Sequence, residues 1–543
     1  MKMGYAFLVL IGFFTLTSMI VLHNQIFSQQ ANHNNESIDN GVPLKERHRP
    51  IAFDIGQLKQ QHLAHGTFFF GPHSHEVDFA AGYKPLLNSI QKEFLNDNII
   101  QVEKEVERCA RYNFKIANQT HLKRRRLFFG SLLADDSMEV LQAVGTEFYN
   151  VFHTVSFIES NKSQNLTPRK WKYYNPAEAP ESLITLHQLF GPQTKVSVDY
   201  YVPVFTKMDS IDDLLVEFLQ REGSTQRWAF NGMREDDIGI ISDADDIFTR
   251  DFLRALQICD VPEFRPNQDC RNPKVIGSTM VFESSPNCVT MDRRWHHPDA
   301  ILGECVMHVG NASLHPPGQR EYKERHGMRL EGYGNNGNYS NYVEDMGSDI
   351  SYPLWHAVDF RMQEGGKMYE MIDGSPTGYH FHNFFMSSDE VRNKYATYGH
   401  AWGELAFKIP LWALSEDIQL GFDCANGEDS LVFDSTGSSV IPLYYANDDV
   451  RTKRHQHWQN IVRSEEEYWQ KMLDAVQDLE NDGKSCWSEC GERFGKCPFF
   501  CGKKGVCCEV GAENLHPDCA GGALGCTDRD CCVNGAAMLY HNQ

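Results

Sequence analysis

Three carboxylates stand within four residues of one another, close to the end of an apolar run. Asp243, Asp245 and Asp246 follow a segment rich in isoleucine. Carboxylates this close repel one another, so a folded site needs raised pKa values or a cation to hold them together. If the apolar segment is a strand of an α/β sheet, the acidic residues lie at its carboxyl end, where such folds bind ligands. The pattern therefore predicts a divalent metal site.

The spacing of Asp243 and Asp245 lets both carboxylates approach one ion or its bound waters. Hard oxygen ligands of this kind suit Mg²⁺ or Mn²⁺. An acidic surface turn is the ordinary alternative, but an apolar strand before the turn and a helix after it favour the metal. His380, far along the chain, is a candidate to complete the ligand set; the alternative is a histidine packed on an aromatic-rich strand.

The segments that must position these residues alternate between the apolar pattern of strands and that of helices. Apolar runs typical of strands stand at residues 127–130, 151–158, 195–204 and 238–241. Apolar residues at helical spacing predict helices between and after these strands, at 137–149, 211–221, 250–259, 388–398 and 465–480. An earlier helix is predicted at 86–112. Strands that alternate with helices predict an α/β domain with a mainly parallel sheet and flanking helices.

The composition limits the classes of function. A chain of 543 residues with 41% hydrophobic residues is long enough for two or three domains with a sizeable core. The formal net charge of -22 argues against a nucleic-acid partner, because a phosphate backbone requires clustered Lys and Arg.

The amino terminus predicts a membrane anchor. Residues 4–22 are uncharged and apolar, and a helix of that length spans about 28 Å, close to the ~30 Å hydrocarbon core. A cleaved signal peptide is the alternative, but no small-x-small cleavage site follows. We expect a single-pass type II protein with a lumenal body, and potential glycosylation sites agree with this: Asn35, Asn118, Asn161, Asn165, Asn311 and Asn338.

Cysteine usage predicts the same oxidising compartment. Ten of the sixteen cysteines lie between Cys486 and Cys532, in a spacing without the Cys-x2-Cys pairs typical of zinc sites. We therefore expect a disulfide-rich C-terminal module.

The predicted organisation is an anchor at 1–22, a stem and accessory region at 23–120, a catalytic domain at 121–425, a linker and helix at 426–481, and the cysteine module at 482–543. Within the catalytic domain, residues 267–369 are expected to be irregular substrate loops.

An ordered set of motifs resembles glycosyltransferase family 17, the β-1,4-mannosyl-glycoprotein 4-β-N-acetylglucosaminyltransferase (N-acetylglucosaminyltransferase III-like) group. Residues 235–247 resemble its "DD-x-apolar-SD-x-DEIP" signature, and residues 157–161 with 166–170 resemble its "LLESN…G-x-PKP" block. Residues 378–380 resemble its "GWH" motif. The likeness covers residues from about 125 to 410. The family usually has Glu, Pro and Trp at the positions of Asp246, Phe248 and Tyr379.

The resemblance implies a GT-A-like, Rossmann-like catalytic fold in a Golgi membrane enzyme. Its activity would be inverting transfer of N-acetylglucosamine from UDP-GlcNAc to the β-linked mannose of N-glycans, with Mn²⁺ or Mg²⁺. The open alternatives are a transferase of the same fold with another donor or acceptor, and a non-catalytic glycan-binding membrane protein.

The resemblance also implies roles for single residues. Asp243, Asp245 and His380 would hold the metal, and Asp246 would support the ribose or donor sugar as a catalytic residue. Glu159 and Asn161 would lie near the nucleotide. Arg227 would offset phosphate charge or, equally, form a structural ion pair. The catalytic base that an inverting transfer requires has three candidates: Glu283, Glu344 and Asp345.

Overall fold

The computed structural model describes parts of the chain between residues 58 and 509, all within a unit that spans residues 52–543. The described ranges are 58–63, 66–75, 96–116, 122–134, 136–173, 179–204, 213–265, 274–308, 367–398, 403–407, 409–427, 441–481, 499–501 and 507–509. The predicted anchor at 4–22, the stem up to residue 57 and most of the cysteine module lie outside them. No helix in these ranges is both long and apolar enough to cross a membrane.

The strands, in chain order, are β1 (Lys59–Leu63), β2 (Gly66–Phe70), β3 (Lys115–Ile116), β4 (Leu127–Leu133), β5 (Thr154–Ser160), β6 (Lys195–Pro203), β7 (Ile238–Ile241), β8 (Asp246–Phe248), β9 (Cys259–Asp260), β10 (Lys274–Gly277), β11 (Thr279–Glu283), β12 (Val289–Trp295), β13 (Asp299–Leu302), β14 (Lys367–Tyr369), β15 (Gly378–His382), β16 (Phe499–Cys501) and β17 (Cys507–Glu509). The α-helices are α1 (Val102–Arg111), α2 (Met138–Phe148), α3 (Ala179–Phe190), α4 (Asp213–Phe230), α5 (Arg250–Ile258), α6 (Gly303–His308), α7 (Ser388–Thr397), α8 (Glu416–Ala425) and α9 (Asp448–Asn481).

A nine-stranded sheet in the order β1-β2-β6-β5-β4-β7-β13-β10-β14 forms the centre of the fold. Its middle strands β6, β5, β4 and β7 are parallel, because each is joined to the next in the chain through a helix. They are apolar and buried along most of their length, as expected of strands covered on both faces. The prediction of an α/β fold is therefore confirmed, although antiparallel strands on both flanks make the whole sheet mixed.

The helix boundaries follow local capping. Ser137 Oγ accepts a hydrogen bond from Val140 N at the start of α2, and Thr249 Oγ1 accepts one from Phe252 N at the start of α5. Both helices lie where the sequence predicts them. The helix predicted at 465–480 is longer in the structure, since α9 begins at Asp448.

A second sheet of four strands in the order β12-β11-β15-β8 adjoins the large one. β15 is antiparallel to β8 and pairs His380 with Asp246; it is parallel to β11 and pairs His382 with Glu283. Residues 274–302, expected to be irregular, instead form the four strands β10 to β13. That prediction is wrong for this part because the strands are short and several of their partners are distant in sequence, although β11 and β12 pair locally. Residues 309–366 lie outside the described ranges.

Part of the predicted accessory region packs on the domain predicted to be catalytic. β1 and β2 extend the large sheet beside β6, and β3 pairs with β9. A disulfide joins Cys109 of α1 to Cys259 directly after α5, and a second joins Cys288 to Cys424 at the end of α8. Disulfide bonds therefore occur in the body of the protein, whereas those of the C-terminal module stay a prediction. Of the cysteine module, the described residues are the paired strands β16 and β17.

Candidate metal and substrate site

The acidic turn lies between β7 and β8. Ile241 ends β7, and Ser242 N continues the pairing by donating to Gly130 O at 3.2 Å. Asp246 N donates to Asp243 O at 3.2 Å and closes the turn, so that β8 can begin at Asp246. The turn is therefore held at the carboxyl end of a parallel strand, as predicted.

Asp245, Asp246 and His380 form a cluster whose possible ligand atoms all lie within 4.8 Å of one another. His380 Nε2 is 3.8 Å from Asp245 Oδ2, and His380 Nδ1 is 3.4 Å from Asp246 Oδ1. Antiparallel pairing of β15 with β8 brings His380 directly opposite Asp246 and aims both side chains at one face. Two carboxylates and one imidazole together could hold a metal ion. The choice of Mg²⁺ or Mn²⁺ stays a prediction.

The surroundings of this cluster favour a bound cation. Asp246 is fully buried, and Trp295 Nε1 donates to its Oδ2 at 3.0 Å. Burial raises the pKa of Asp245, the nearby charge of His380 lowers it, and the carboxylates of Asp246 and Asp243 raise it further. A cation would relieve both the burial cost and the repulsion.

Asp243 lies apart from the cluster. Its carboxylate accepts from Arg221, a buried side chain that also donates from Nη1 to Ser242 O at 3.2 Å and forms an ion pair with Glu217. The spacing pattern favoured Asp243 as the second carboxylate ligand, whereas the structure places Asp246 in the cluster. The reason is that strand pairing, and not sequence spacing, decides which side chain faces His380. Metal ligation by Asp243 stays a prediction.

A second cluster adjoins the first on the same sheet face. His382 Nδ1 is 2.7 Å from Glu283 Oε2 and 3.7 Å from Asp417 Oδ2. Asn383 Nδ2 donates to Glu283 Oε1 at 2.8 Å, and burial raises the pKa of Glu283 well above its ordinary value. The rings of His380 and His382 are 5.1 Å apart. Both clusters therefore contribute to one polar surface.

Sequence reasoning missed His382 and Asp417. The alternation His380-x-His382 on a strand puts both imidazoles on one face, and this signal was available. Asp417 comes from α8 and has no local signal. Of the other base candidates, Glu344 and Asp345 lie outside the described residues.

Glu159 lies near the carboxyl end of β5 and Asn161 follows that strand, at the same sheet edge as the acidic turn. Glu159 is fully buried and accepts from the backbone nitrogens of Lys172 and Tyr173. Burial raises its pKa to about 7. Asn161 O accepts from Arg169 N at 2.8 Å, while its buried Oδ1 has no hydrogen bond to any described residue. Glu159 thus fixes the backbone of the following loop, and Asn161 retains a side-chain acceptor.

Arg227 forms a structural ion pair, which is the alternative to phosphate binding. It is fully buried in α4, where Nε donates to Asp199 Oδ2 at 2.8 Å and Nη2 donates to Gly71 O at 2.5 Å. An arginine enclosed in this way cannot reach a phosphate without leaving a buried carboxylate behind. The structure therefore favours the ion pair over phosphate binding.

Comparisons with known proteins add no relative: no protein-family model, curated protein or solved structure matches the chain. The resemblance to glycosyltransferase family 17 therefore stays a prediction.

Proposed function

We propose that the protein is a metal-dependent inverting glycosyltransferase with a GT-A-like fold, transferring N-acetylglucosamine from UDP-GlcNAc to the β-linked mannose of N-glycans. The observation that carries the reaction class is the cluster of Asp245, Asp246 and His380 at the carboxyl end of the parallel strands. Donor and acceptor rest on the family resemblance alone.

The order of the parallel strands supports a nucleotide-binding reading of the fold. Numbered along the chain, β4 to β7 lie in the order third, second, first, fourth. In such sheets the strand order reverses between the first and fourth strands, and ligands bind in the crevice at that point. The acidic turn follows β7, the fourth strand, and therefore borders the crevice.

In the proposed site, Asp245, Asp246 and His380 hold the metal, with Trp295 fixing the orientation of Asp246. A bound Mg²⁺ or Mn²⁺ supplies Lewis-acid neutralisation of the diphosphate charge. Asn161 would accept a hydrogen bond from the nucleotide. Glu283 is the proposed general base, and its contact with His382 would connect the buried carboxylate to the acceptor hydroxyl whose proton is removed.

We also propose a Golgi membrane location with residues 4–22 as a type II anchor. The apolar run at the amino terminus and the cysteine density near the carboxyl terminus support this.

The test is a transfer assay with the purified chain, a panel of UDP-sugars, Mn²⁺ and defined N-glycan acceptors. We expect GlcNAc transfer that chelation of the metal abolishes. Asp245→Asn and His380→Ala should each lower kcat/KM by about 10²–10⁴, since loss of the metal removes several kcal/mol of transition-state stabilisation. Asp474→Asn, an exposed carboxylate of α9, is the matched control.

Two results would contradict the proposal. Absence of donor turnover or hydrolysis with every UDP-sugar would rule out the transferase. Full activity in Asp245→Asn would rule out this site, and turnover with a different donor would keep the reaction class but replace N-acetylglucosamine.

A further inference from the structure

A cavity of about 500 Å³ lies between α1, the amino-terminal end of α5 and the segments around residues 371 and 443. Pockets of 300–1,000 Å³ are the usual size for small-molecule sites. Thr249 and Tyr379 line this cavity, whereas His380, the next residue of β15, belongs to the metal cluster. Successive residues of a strand face opposite sides of a sheet, so β15 separates the cavity from the candidate metal site.

The inner wall carries more positive than negative charge. Its ion network contains four guanidinium groups and three carboxylates of the lining: Arg108, Arg111, Arg250, Arg254, Asp97, Glu105 and Asp251. Arg124 joins this network from outside the lining. Arg250 Nε and Arg254 Nε both lie 2.9 Å from Asp97 Oδ2. Burial, with the charge of Arg250 next, lowers the pKa of Arg254 to about 9.

Glu147 also lines the cavity but compensates this charge only in part. Its oxygens accept from the backbone nitrogens of Arg250 and Leu443. Burial raises its pKa to about 7, so that a fraction of the carboxyl groups is neutral at neutral pH. The remaining carboxylate of the lining, Asp373, is almost fully exposed to solvent at the rim, where its charge is screened.

The mouth presents donors that the internal network leaves available. Arg111 has a side chain that is 45% exposed, and within the described ranges the one hydrogen bond of this side chain runs from Nη2 to Asp251 Oδ1 at 3.2 Å. Lys104 is exposed and makes no ion pair with a described residue. A network that served only to join α1 to α5 would not require these two cations at the cavity.

Apolar side chains complete the lining. Ile99 is 66% exposed, although it borders the cavity, and Met371, Ile441 and Leu443 lie along the same wall. Large apolar side chains exposed beside a polar pocket are typical of ligand-binding grooves.

We propose that this cavity binds a small organic anion, in which a phosphate or carboxylate is attached to an apolar group. Lys104 and Arg111 contact the anionic group, with Arg108 behind them, and Ile99 and Met371 contact the apolar part. Charge-assisted hydrogen bonds to the anion supply the directional part of the recognition. This site is independent of the proposed transferase activity.

The experiment is isothermal titration calorimetry on the purified full chain in the presence of a chelator, so that no anion binds through a metal. The probes are phenyl phosphate, benzoate, inorganic phosphate, acetate and the neutral benzyl alcohol. We expect phenyl phosphate or benzoate to bind, and the tighter of the two identifies the anionic group. The probe with the same anionic group but no phenyl group, inorganic phosphate or acetate, should bind at least tenfold more weakly. Benzyl alcohol should not bind.

Variants locate the site. Lys104→Gln combined with Arg111→Gln should weaken binding of the better probe at least tenfold, because two charge-assisted contacts are lost. Both side chains are exposed, so the thermal unfolding midpoint should not move; Lys104→Gln alone serves if the double variant is unstable. Arg463→Gln and Lys471→Gln, exposed residues of α9, are the matched controls.

Three results would overturn the inference: no binding of either organic anion at millimolar concentration, unchanged affinity in the double variant, or equal affinity for benzyl alcohol. Weaker binding in the control variants to the same extent would also contradict it, since general loss of positive charge would then explain the effect.

Discussion

Replacing Arg227 tests whether this residue stabilises the fold or binds the substrate. Arg227→Met removes the guanidinium but leaves the buried carboxylate of Asp199, with Gly71 N as a hydrogen-bond donor at 2.9 Å. Removing one partner of a buried pair costs about 3–5 kcal/mol. With an unfolding entropy of ~2 cal/mol/K per residue, a unit of roughly 490 residues should lose about 3–5 °C in its unfolding midpoint.

The assay is thermal unfolding followed by circular dichroism, with the KM for the donor measured in parallel. Arg463→Met, an exposed arginine of α9, is the matched control and should change the stability by less than about 0.5 kcal/mol. Adding Asp199→Leu to Arg227→Met should recover part of the loss, because the unpaired charge is removed. An unchanged midpoint together with a raised donor KM would refute the reasoning and return Arg227 to the phosphate-binding role.

Three further predictions concern the disulfide, the pH dependence and the small sheet. Cys109→Ser with Cys259→Ser should lower the free energy of unfolding by about 4–5 kcal/mol in urea titrations, because the bridge closes a separation of 150 residues; a loss below 1 kcal/mol would contradict this. Burial raises the pKa of Glu159 from 4.5 to about 7, so the folded state keeps a proton that the unfolded chain has lost between these values. Stability should therefore fall by up to about 3 kcal/mol as the pH rises through that window, and Glu159→Gln should flatten the slope of urea midpoints measured from pH 5 to 8. Gly378→Ala should weaken Mn²⁺ binding in calorimetry by at least tenfold, since its Cβ would lie 2.4 Å from Thr279 Cγ2 and 2.5 Å from a backbone oxygen of β8, and β15 would have to move; unchanged affinity would show that the register tolerates the methyl group.

The parallel part of the fold could be predicted from sequence because its signals are local. β4, β5, β6 and β7 are rich in apolar residues, and α2 and α5 carry their caps at Ser137 and Thr249. The small sheet could not be predicted from sequence, since β8 pairs with β15, which follows 130 residues later in the chain. In addition, β8 has only three residues, too few to show the periodicity of a strand. On the flanks of the large sheet, the pairs β2 with β6 and β13 with β7 depend on the same kind of distant pairing, whereas β1 and β2 are adjacent in sequence.

The candidate site likewise contains residues that the sequence predicts and residues whose roles depend on the tertiary fold. Asp245 and His380 were predicted from an acidic turn and a motif, and the structure brings them together. The place of Asp246 beside His380 depends on strand register, which a spacing pattern does not contain. The ion pair of Arg227 with Asp199 depends on burial in the tertiary fold, and the sequence alone left it as one of two alternatives.

The long separation of the paired cysteines has a consequence for the order of events during synthesis. Cys109 leaves the ribosome 150 residues before Cys259, and Cys288 leaves it 136 residues before Cys424. At 5–20 residues per second, each first thiol waits roughly 7–30 s for its partner. All four are made before the ten cysteines between Cys486 and Cys532. A body that folds and oxidises as it emerges removes its own thiols before that tail arrives, which limits wrong pairing between the two.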